Sequence, residues 1–240
     1  MLQELRFYRL TPGRVADNEA RHRDTLPPLL ARHGISVVGR WNAVDGDGLP
    51  LFAYMMAYPD FGARERQWDA FYADDDWWTL RERTNAGSEI VLGYELHFLK
   101  PNGRWRFVDH GAYRAGDVHE LLFLGVVNGK QRAAADFVMD ALTPAIERQE
   151  GRVMLFSEFV SGPSLPRAAL MIAWADARHR EAARVLLDAD PQLARARQDE
   201  LATTGEVASI GATQSWLLAP TPYALPEPSL GAVLLEDAIQ

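Results

Sequence analysis

The sequence predicts an α+β chain built from two tandem copies of one β-α-β-β-α-β unit. The first observation is a constant offset. Gly13 and Gly129 stand 116 residues apart, and the same spacing relates Glu4 to Glu120, Tyr58 to Trp174, Asp60 to Asp176 and Asp74 to Asp190. By the last strand the spacing has drifted to 119, between Pro101 and Pro220. The second observation is that short apolar runs, several alternating with period two, are separated by charged stretches with helical spacing. The third is that Gly, Pro and Asp fall where such elements must stop or start. The expected domains are residues 1–103 and 117–220, joined by a connector at 104–116 and followed by a Pro-rich tail at 221–240.

Leu5, Phe7 and Arg9 alternate with Glu4, Arg6 and Tyr8, which is the pattern of a strand with two unlike faces. Thr11-Pro12-Gly13 ends it. A helix is expected from Arg14 to His33 with a kink near Thr25, because Pro27 and Pro28 remove backbone donors. Gly34 suits the position after the helix. A strand from Ile35 to Asn42 leads to Asp45-Gly46-Asp47-Gly48, whose residues tolerate the positive φ of a hairpin turn. Leu51–Tyr58 is apolar on both faces and reads as a central strand. Asp60 is placed to cap a helix over Phe61–Ala73, and Asp74-Asp75-Asp76 to cap another over Trp77–Asn85. Gly87 ends that helix, and a strand follows over Glu89–Leu99.

The second unit repeats the order. Strands are expected over Val118–Val127, Arg152–Val160, Arg167–Trp174 and Glu206–Leu218. Helices are expected over Lys130–Gln149, over Asp176–Asp188, and from Asp190-Pro191 to Leu201. Thr143-Pro144 takes the place of Leu26-Pro27.

Composition narrows the function. A net charge of −8 leaves no basic excess to neutralise phosphates, so nucleic acid is not an expected partner. There is no run of apolar residues long enough for a transmembrane helix. The chain enters its first strand without a secretory signal. A cytoplasmic location and no membrane partner are therefore the expectations. With zero Cys, disulfides, thiolate nucleophiles and thiolate metal sites are absent. No two His stand at the spacing of a metal-binding helix or strand, and no phosphate loop, dinucleotide fingerprint or Gly-x-Ser-x-Gly occurs. No cofactor or metal is therefore expected. A haem iron needs only one His, so spacing alone leaves it open.

Several motifs together resemble a NIPSNAP domain over residues 2–101. They are Tyr8-Arg9-Leu10-Thr11-Pro12-Gly13, His33-Gly34-Ile35, Gly39-Arg40-Trp41, Ala53-Tyr54 to Tyr58, Arg64-Glu65-Arg66, and Tyr72-Ala73-Asp74 with Trp77. The second half keeps the order of elements but little of the motif: Pro12 becomes Asn128, and the Trp41 position falls near Glu158. The resemblance implies the dimeric α+β barrel superfamily. Each half would be a ferredoxin-like domain, and the two sheets would close an intrachain pseudo-dimeric barrel. The physical motive is that a sheet with helices on one side needs its other face covered. The resemblance also implies homo-oligomers. It does not name a reaction, because superfamily members range from cofactor-free oxygenases to isomerases and haem enzymes.

Candidate residues cluster in the first half. Glu4, Arg6 and Tyr8 on the first strand, with Glu95 and His97 on the fourth, are expected to present polar groups to one side. His97 with Glu95 suits general acid–base work, Arg6 suits an anion or enolate, and Tyr54 and Tyr58 suit orienting donors. Tyr8, His22, Trp41 and Trp68 are the expected substrate contacts, since aromatic rings with polar handles suit a planar ligand. The structural alternative is a satisfied polar network and an aromatic core. His22, between Arg21 and Arg23, is expected on a solvated helix face or in a cleft at the Pro27 break. His33 suits a helix C-terminus. His119 and Glu120 must point to opposite faces, with Glu158, Gln214 and Trp216 the other polar or amphipathic marks of the second sheet. The expected partner is thus a small molecule. The expected function is cofactor-independent acid–base chemistry on an apolar or aromatic metabolite, as an isomerase, cyclase or oxygenase. A non-catalytic NIPSNAP-type binding or scaffold protein is the alternative.

Overall fold

The structure is a computed structural model that describes residues 1–103, 117–221 and 223. The connector expected at 104–116 and all but two residues of the expected tail lie outside the described residues. The strands are β1 (Leu2–Leu10), β2 (Ser36–Asp45), β3 (Leu51–Tyr58), β4 (Val91–Pro101), β5 (Val118–Val126), β6 (Arg152–Phe159), β7 (Arg167–Trp174) and β8 (Ser209–Pro220). They close a barrel in the order β1-β3-β2-β8-β5-β7-β6-β4. Every pairing is antiparallel.

The register repeats between the halves. Leu2 faces Tyr58 as Val118 faces Trp174, and Arg9 faces Leu51 as Gly125 faces Arg167. Ser36 faces Ala57 as Arg152 faces Ala173. All six residues of the second half stand 116 positions after their counterparts. Two seams join the halves: β2 with β8, and β4 with β6.

Period-two alternation decides what fills the barrel. Leu5 and Phe7 of β1, Trp41 of β2, Met55 of β3, Phe123 of β5 and Trp216 of β8 turn inward and pack as one core across both halves. Polar contacts tie the seams from inside. Trp41 Nε1 donates to His119 Nδ1 at 2.9 Å, Ser157 Oγ to Gln3 Oε1 at 2.7 Å, and Trp216 Nε1 to the Asp47 carbonyl at 3.2 Å. The outward residues pack under helices. Phe52 and Tyr58 meet Leu29, Leu30, Trp68 and Phe71 in the first half. Phe156, Ile172 and Trp174 meet Phe137 and Ile146 in the second. β3 and β7 are buried along their whole length because they serve both layers. Burying each large apolar side chain stabilises the fold by roughly 1.5–3 kcal/mol.

The helices start where the sequence caps them. α3 (Phe61–Tyr72) begins at Asp60, whose side chain accepts from Ala63 N, and α4 (Asp75–Asn85) at Asp74, which accepts from Asp76 N. Asp176 and Asp190 do the same for α7 (Ala177–Asp188) and α8 (Pro191–Thr204). The helix expected over residues 14–33 is three pieces: α1 (Val15–Ala20), a π turn at Arg21–Thr25, and α2 (Leu26–Arg32). Its counterpart divides likewise into α5 (Gln131–Phe137), a π turn at Val138–Leu142 and α6 (Thr143–Arg148). In both halves the wide turn lies just before prolines, where the regular ladder loses its donors. The last strand of each half starts later than expected, at Val91 and Ser209, because the preceding residues are drawn to the helices. Glu89 Oε2 accepts from Arg81 and Asn85, and Glu200 Oε1 accepts from Ala208 N.

Candidate functional site

A polar cluster is buried between the first-half sheet and its helices. It is centred on Arg6 of β1, which is 2% exposed. Arg6 points to the helix side because Leu5 and Phe7 take the barrel side. Its Nε donates to Glu4 Oε1 at 2.5 Å, and its Nη1 reaches the Tyr54 hydroxyl at 3.4 Å and the Tyr8 hydroxyl at 3.5 Å. The Tyr54 hydroxyl donates to that of Tyr8 at 2.5 Å. The guanidinium carbon lies over the Trp68 ring of α3, 3.8 Å from the ring centre, a cation–π contact. Trp68 Nε1 donates to the Tyr58 hydroxyl at 2.8 Å. Arg64 of α3 also binds Glu4, from Nε at 2.8 Å. Two guanidiniums therefore share one carboxylate, so this trio carries one positive charge in excess.

His22 closes the other side of this cluster. The π turn rolls Arg21 and His22 inward, and both are buried. The His22 ring lies 4.5 Å from Phe52, 5.2 Å from Tyr54 and 6.4 Å from Tyr8 by ring centres. Its Nδ1 has no hydrogen-bond partner among the described residues. His22 also forms one wall of a pocket of about 280 Å³, whose other walls include Pro27, Leu30, Val37, Arg40 and Tyr223. Arg21 turns to neutral acceptors, Thr84 Oγ1 at 2.8 Å and Asn85 Oδ1 at 2.6 Å.

Burial sets the protonation states. It works against the Arg6 charge, but the phenols of Tyr54 and Tyr8 and the Glu4 carboxylate outweigh it and hold the guanidinium charged. Burial pushes the Tyr54 phenol well up, with Arg6 opposing. Burial, then the charges of Arg40 and Arg21, push His22 well below the ordinary histidine value, so its imidazole is neutral. The site thus combines a fixed cation, two linked phenols and a neutral imidazole. That set can accept a proton and stabilise the anion left behind.

The sequence placed Glu95 and His97 on the side that carries Arg6, and the structure separates them. In the register of β1 with β4, Arg6 faces Leu96, while Leu5 faces His97 and Phe7 faces Glu95. Side chains alternate along a strand, so Glu95 and His97 turn into the barrel. Glu95 is mostly exposed there, with Oε2 3.7 Å from His97 Nε2. His97 sits edge-on to Phe7, Phe123 and Phe159, and burial with the nearby Arg167 charge pushes it down to about 4. Trp41 is likewise on the barrel side, because Arg40 beside it takes the helix side. Arg6, Tyr54, Tyr58, Tyr8, His22 and Trp68 share the helix-side layer. His22 is not on a solvated face, since the π turn rotates it inward. His33 bonds Asp74 Oδ2 at 2.8 Å, so a side chain as well as the helix end holds it.

Sequence reasoning missed Arg40 and the Glu4–Arg64 pair. The offset held the signal for the pair. Arg180 stands 116 residues after Arg64, and it donates to Glu120 Oε1 from Nε at 3.0 Å and Nη2 at 2.5 Å. The Glu–Arg pair thus recurs and belongs to the scaffold. The rest of the cluster does not recur. Arg6, Tyr8, His22, Arg40 and Tyr54 correspond to Leu122, Leu124, Val138, Phe156 and Leu170. The same framework packs with apolar residues there, so folding alone does not require the polar set.

The fold and this layer define the class: a closed antiparallel barrel with helices outside. Two solved structures share that architecture along nearly the whole chain. One is an anthrone oxidase-like protein at 14% identity, covering 95% of this chain and 96% of its own, with a TM-score of 0.53. The other is a candidate monooxygenase from Lactobacillus acidophilus NCFM at 12% identity, covering 91% and 93%, with a TM-score of 0.51. At these identities the likeness is one of fold. The NIPSNAP family model matches residues 3–101, the half that carries the polar cluster. An uncharacterized NIPSNAP domain protein from Burkholderia xenovorans is 25% identical over 45% of this chain and 100% of its own, with a TM-score of 0.40. No curated protein matches the chain. Among the described residues no helix is long and apolar enough to cross a membrane.

Proposed function

We propose that the chain is a cofactor-independent enzyme that moves a proton on a small, largely apolar, aromatic or cyclic ketone, and that the Arg6–Tyr8–Tyr54–His22 layer is its active site. The carrying observation is the buried polar set that the second half of the same fold replaces with apolar residues. In this reading the two halves are tandem ferredoxin-like domains forming a pseudo-dimer within one chain. The repeated register and the seams β2–β8 and β4–β6 support it.

The chemistry follows from the groups. A C–H beside the substrate carbonyl, or conjugated with it through a ring, faces the neutral His22, which takes the proton. The electron pair moves onto the carbonyl oxygen, and the enolate is held by the Tyr8 and Tyr54 hydroxyls under the charge of Arg6. Return of the proton from His22 to a different carbon gives an isomer. Attack of the enolate carbon on dioxygen would instead begin an oxygenation. An anthrone, whose acidic C–H is conjugated with its carbonyl through the rings, is a fitting probe for proton removal and for oxygenation, and the name of the anthrone oxidase-like neighbour supports that choice. The reading is tested by NMR of anthrone and cyclic ketones in D2O with the purified protein. Enzyme-dependent exchange of the acidic hydrogen is expected, and it should fall by about 100-fold in Arg6→Leu and His22→Val, in the range seen when one anion-stabilising donor is removed. Exchange that is unchanged in both variants would refute the assignment. The non-catalytic alternative rests on the low basicity of His22, and saturable probe binding without exchange would favour it.

A further inference from the structure

The second half contains a pocket that the proposed chemistry does not use. It lies between the sheet and α5, has a volume of about 130 Å³, and is walled by Leu124, Ala134, Ala135, Val138, Phe156 and Ala168, with the buried Arg167 and Ser209 also on its lining. Gln131 and Glu158 are exposed at its border. By the 116-residue offset the six apolar walls correspond to Tyr8, Asn18, Glu19, His22, Arg40 and Phe52. At these six positions the pocket is the counterpart of the layer around Tyr8 and His22, with five polar groups replaced by apolar ones and three positions reduced to alanine.

We propose that this pocket is a second binding site, specific for one compact apolar molecule of about the size of a single ring. Folded interiors are close-packed and hold few voids larger than a water molecule, so a gap of this size against six apolar side chains is not incidental to packing. Water gains little in it, since a buried water needs two to four polar partners and the inner wall supplies apolar side chains. A dry apolar cavity of about 150 Å³ binds benzene or xenon, so the size and lining here suit the same class of ligand. The one buried charge on the lining, Arg167, sets its guanidinium over the barrel-side rings of Phe123 and Phe159 and donates to Gln214 Oε1 at 3.2 Å, which leaves the wall under α5 to select by shape and apolarity. The site stands apart from the proposed active site, because the sheet register places the two in different halves.

Isothermal titration calorimetry of the whole chain with benzene and with indole tests the proposal. One equivalent of a ring-sized probe should bind and raise the melting temperature. Ala168→Phe, which copies Phe52 of the first half, should weaken that binding at least tenfold, while Arg6→Leu leaves it unchanged. Should Ala168→Phe fail to fold, Ala134→Leu narrows the same space from the helix side. Xenon bound in crystals locates the site without any variant. Absence of probe binding to the wild-type chain, binding that survives filling of the pocket, or xenon found elsewhere would overturn the proposal. None of these outcomes depends on catalysis, so failure here and failure of the active-site reading remain distinguishable.

Discussion

At the scale of single residues, parity along the strand separates groups that look alike in sequence. Arg6 and His97 are both buried polar residues on neighbouring strands, yet one faces the helices and the other the barrel. Parity within a strand was legible from the sequence. The relative register of β1 and β4 was not, because it is fixed by pairing across some ninety intervening residues. The inward turn of His22 was equally hidden, since a π turn changes which residues share a helix face. Protonation follows from burial and has a readable consequence. His97 is pushed down to about 4 and His119 to about 3, each chiefly by burial. The unfolded chain takes up these protons near the ordinary histidine value, so between about pH 6.5 and pH 4 it binds more protons than the folded chain. Stability should therefore be full above pH 6.5 and fall as the pH drops through that window, by up to about 1.4 kcal/mol per unit for each histidine. Urea denaturation at pH 7 and pH 5 checks this, and His97→Gln should reduce the difference. For catalysis the neutral form of His22 is the active one. The acid limb of the exchange rate should therefore lie below 6.5, and a midpoint at or above 6.5 would exclude His22 as the proton acceptor.

At the scale of elements, the sequence was most informative where a local rule acts alone. Asp60 and Asp74 cap the helices they were assigned to, and Asp176 and Asp190, read from the sequence only as helix starts, do the same, because an Asp side chain satisfies free N–H groups whatever lies further away. Asp60→Ala should cost about 1 kcal/mol in chemical denaturation. The boundaries of the last strands were less legible, since tertiary contacts of Glu89 and Glu200 decide them. The repeated carboxylates give a sharper comparison. Glu4 serves both Arg6 and Arg64, whereas Glu120 serves Arg180 and accepts from Trp174 Nε1 at 3.0 Å. Removing one partner of a buried pair strands the other charge. Glu4→Gln should therefore lower stability by about 3–5 kcal/mol, the range for a broken buried ion pair, and Glu120→Gln by less. Equal losses would mean that Arg6 does not depend on Glu4.

At the scale of the whole molecule, the barrel gives the second half a role in covering the first. The inner side chains Leu5, Phe7, Trp41 and Met55 are covered only when the second sheet is in place. A fragment of residues 1–103 carries β2 and β4 as open edges, the strands that meet β8 and β6 in the whole chain. It should self-associate by pairing those edges with a second copy, giving a dimer by light scattering. A well-folded monomer would contradict this account of the seam. The 116-residue offset was legible in the sequence, and the strand register repeats it. The order in which strands meet around the barrel was not, because no local pattern encodes which edges pair.

Barrel closure also has a timetable. The strand that seals β2 is β8, and their ladder brings Trp41 opposite Pro220. During synthesis β2 emerges well before β8 and must wait, this hydrogen-bonding edge uncommitted, until β8 has left the ribosome. Long-range strand pairing of this kind is slow, and unpaired edges recruit other chains. Translation stalled before Ser209 would therefore leave β2 and β5 both without the neighbour they share, and such nascent chains should be clients for chaperones. The last strand is the latch of the barrel, so the quality of the protein in a cell rests on how promptly it arrives.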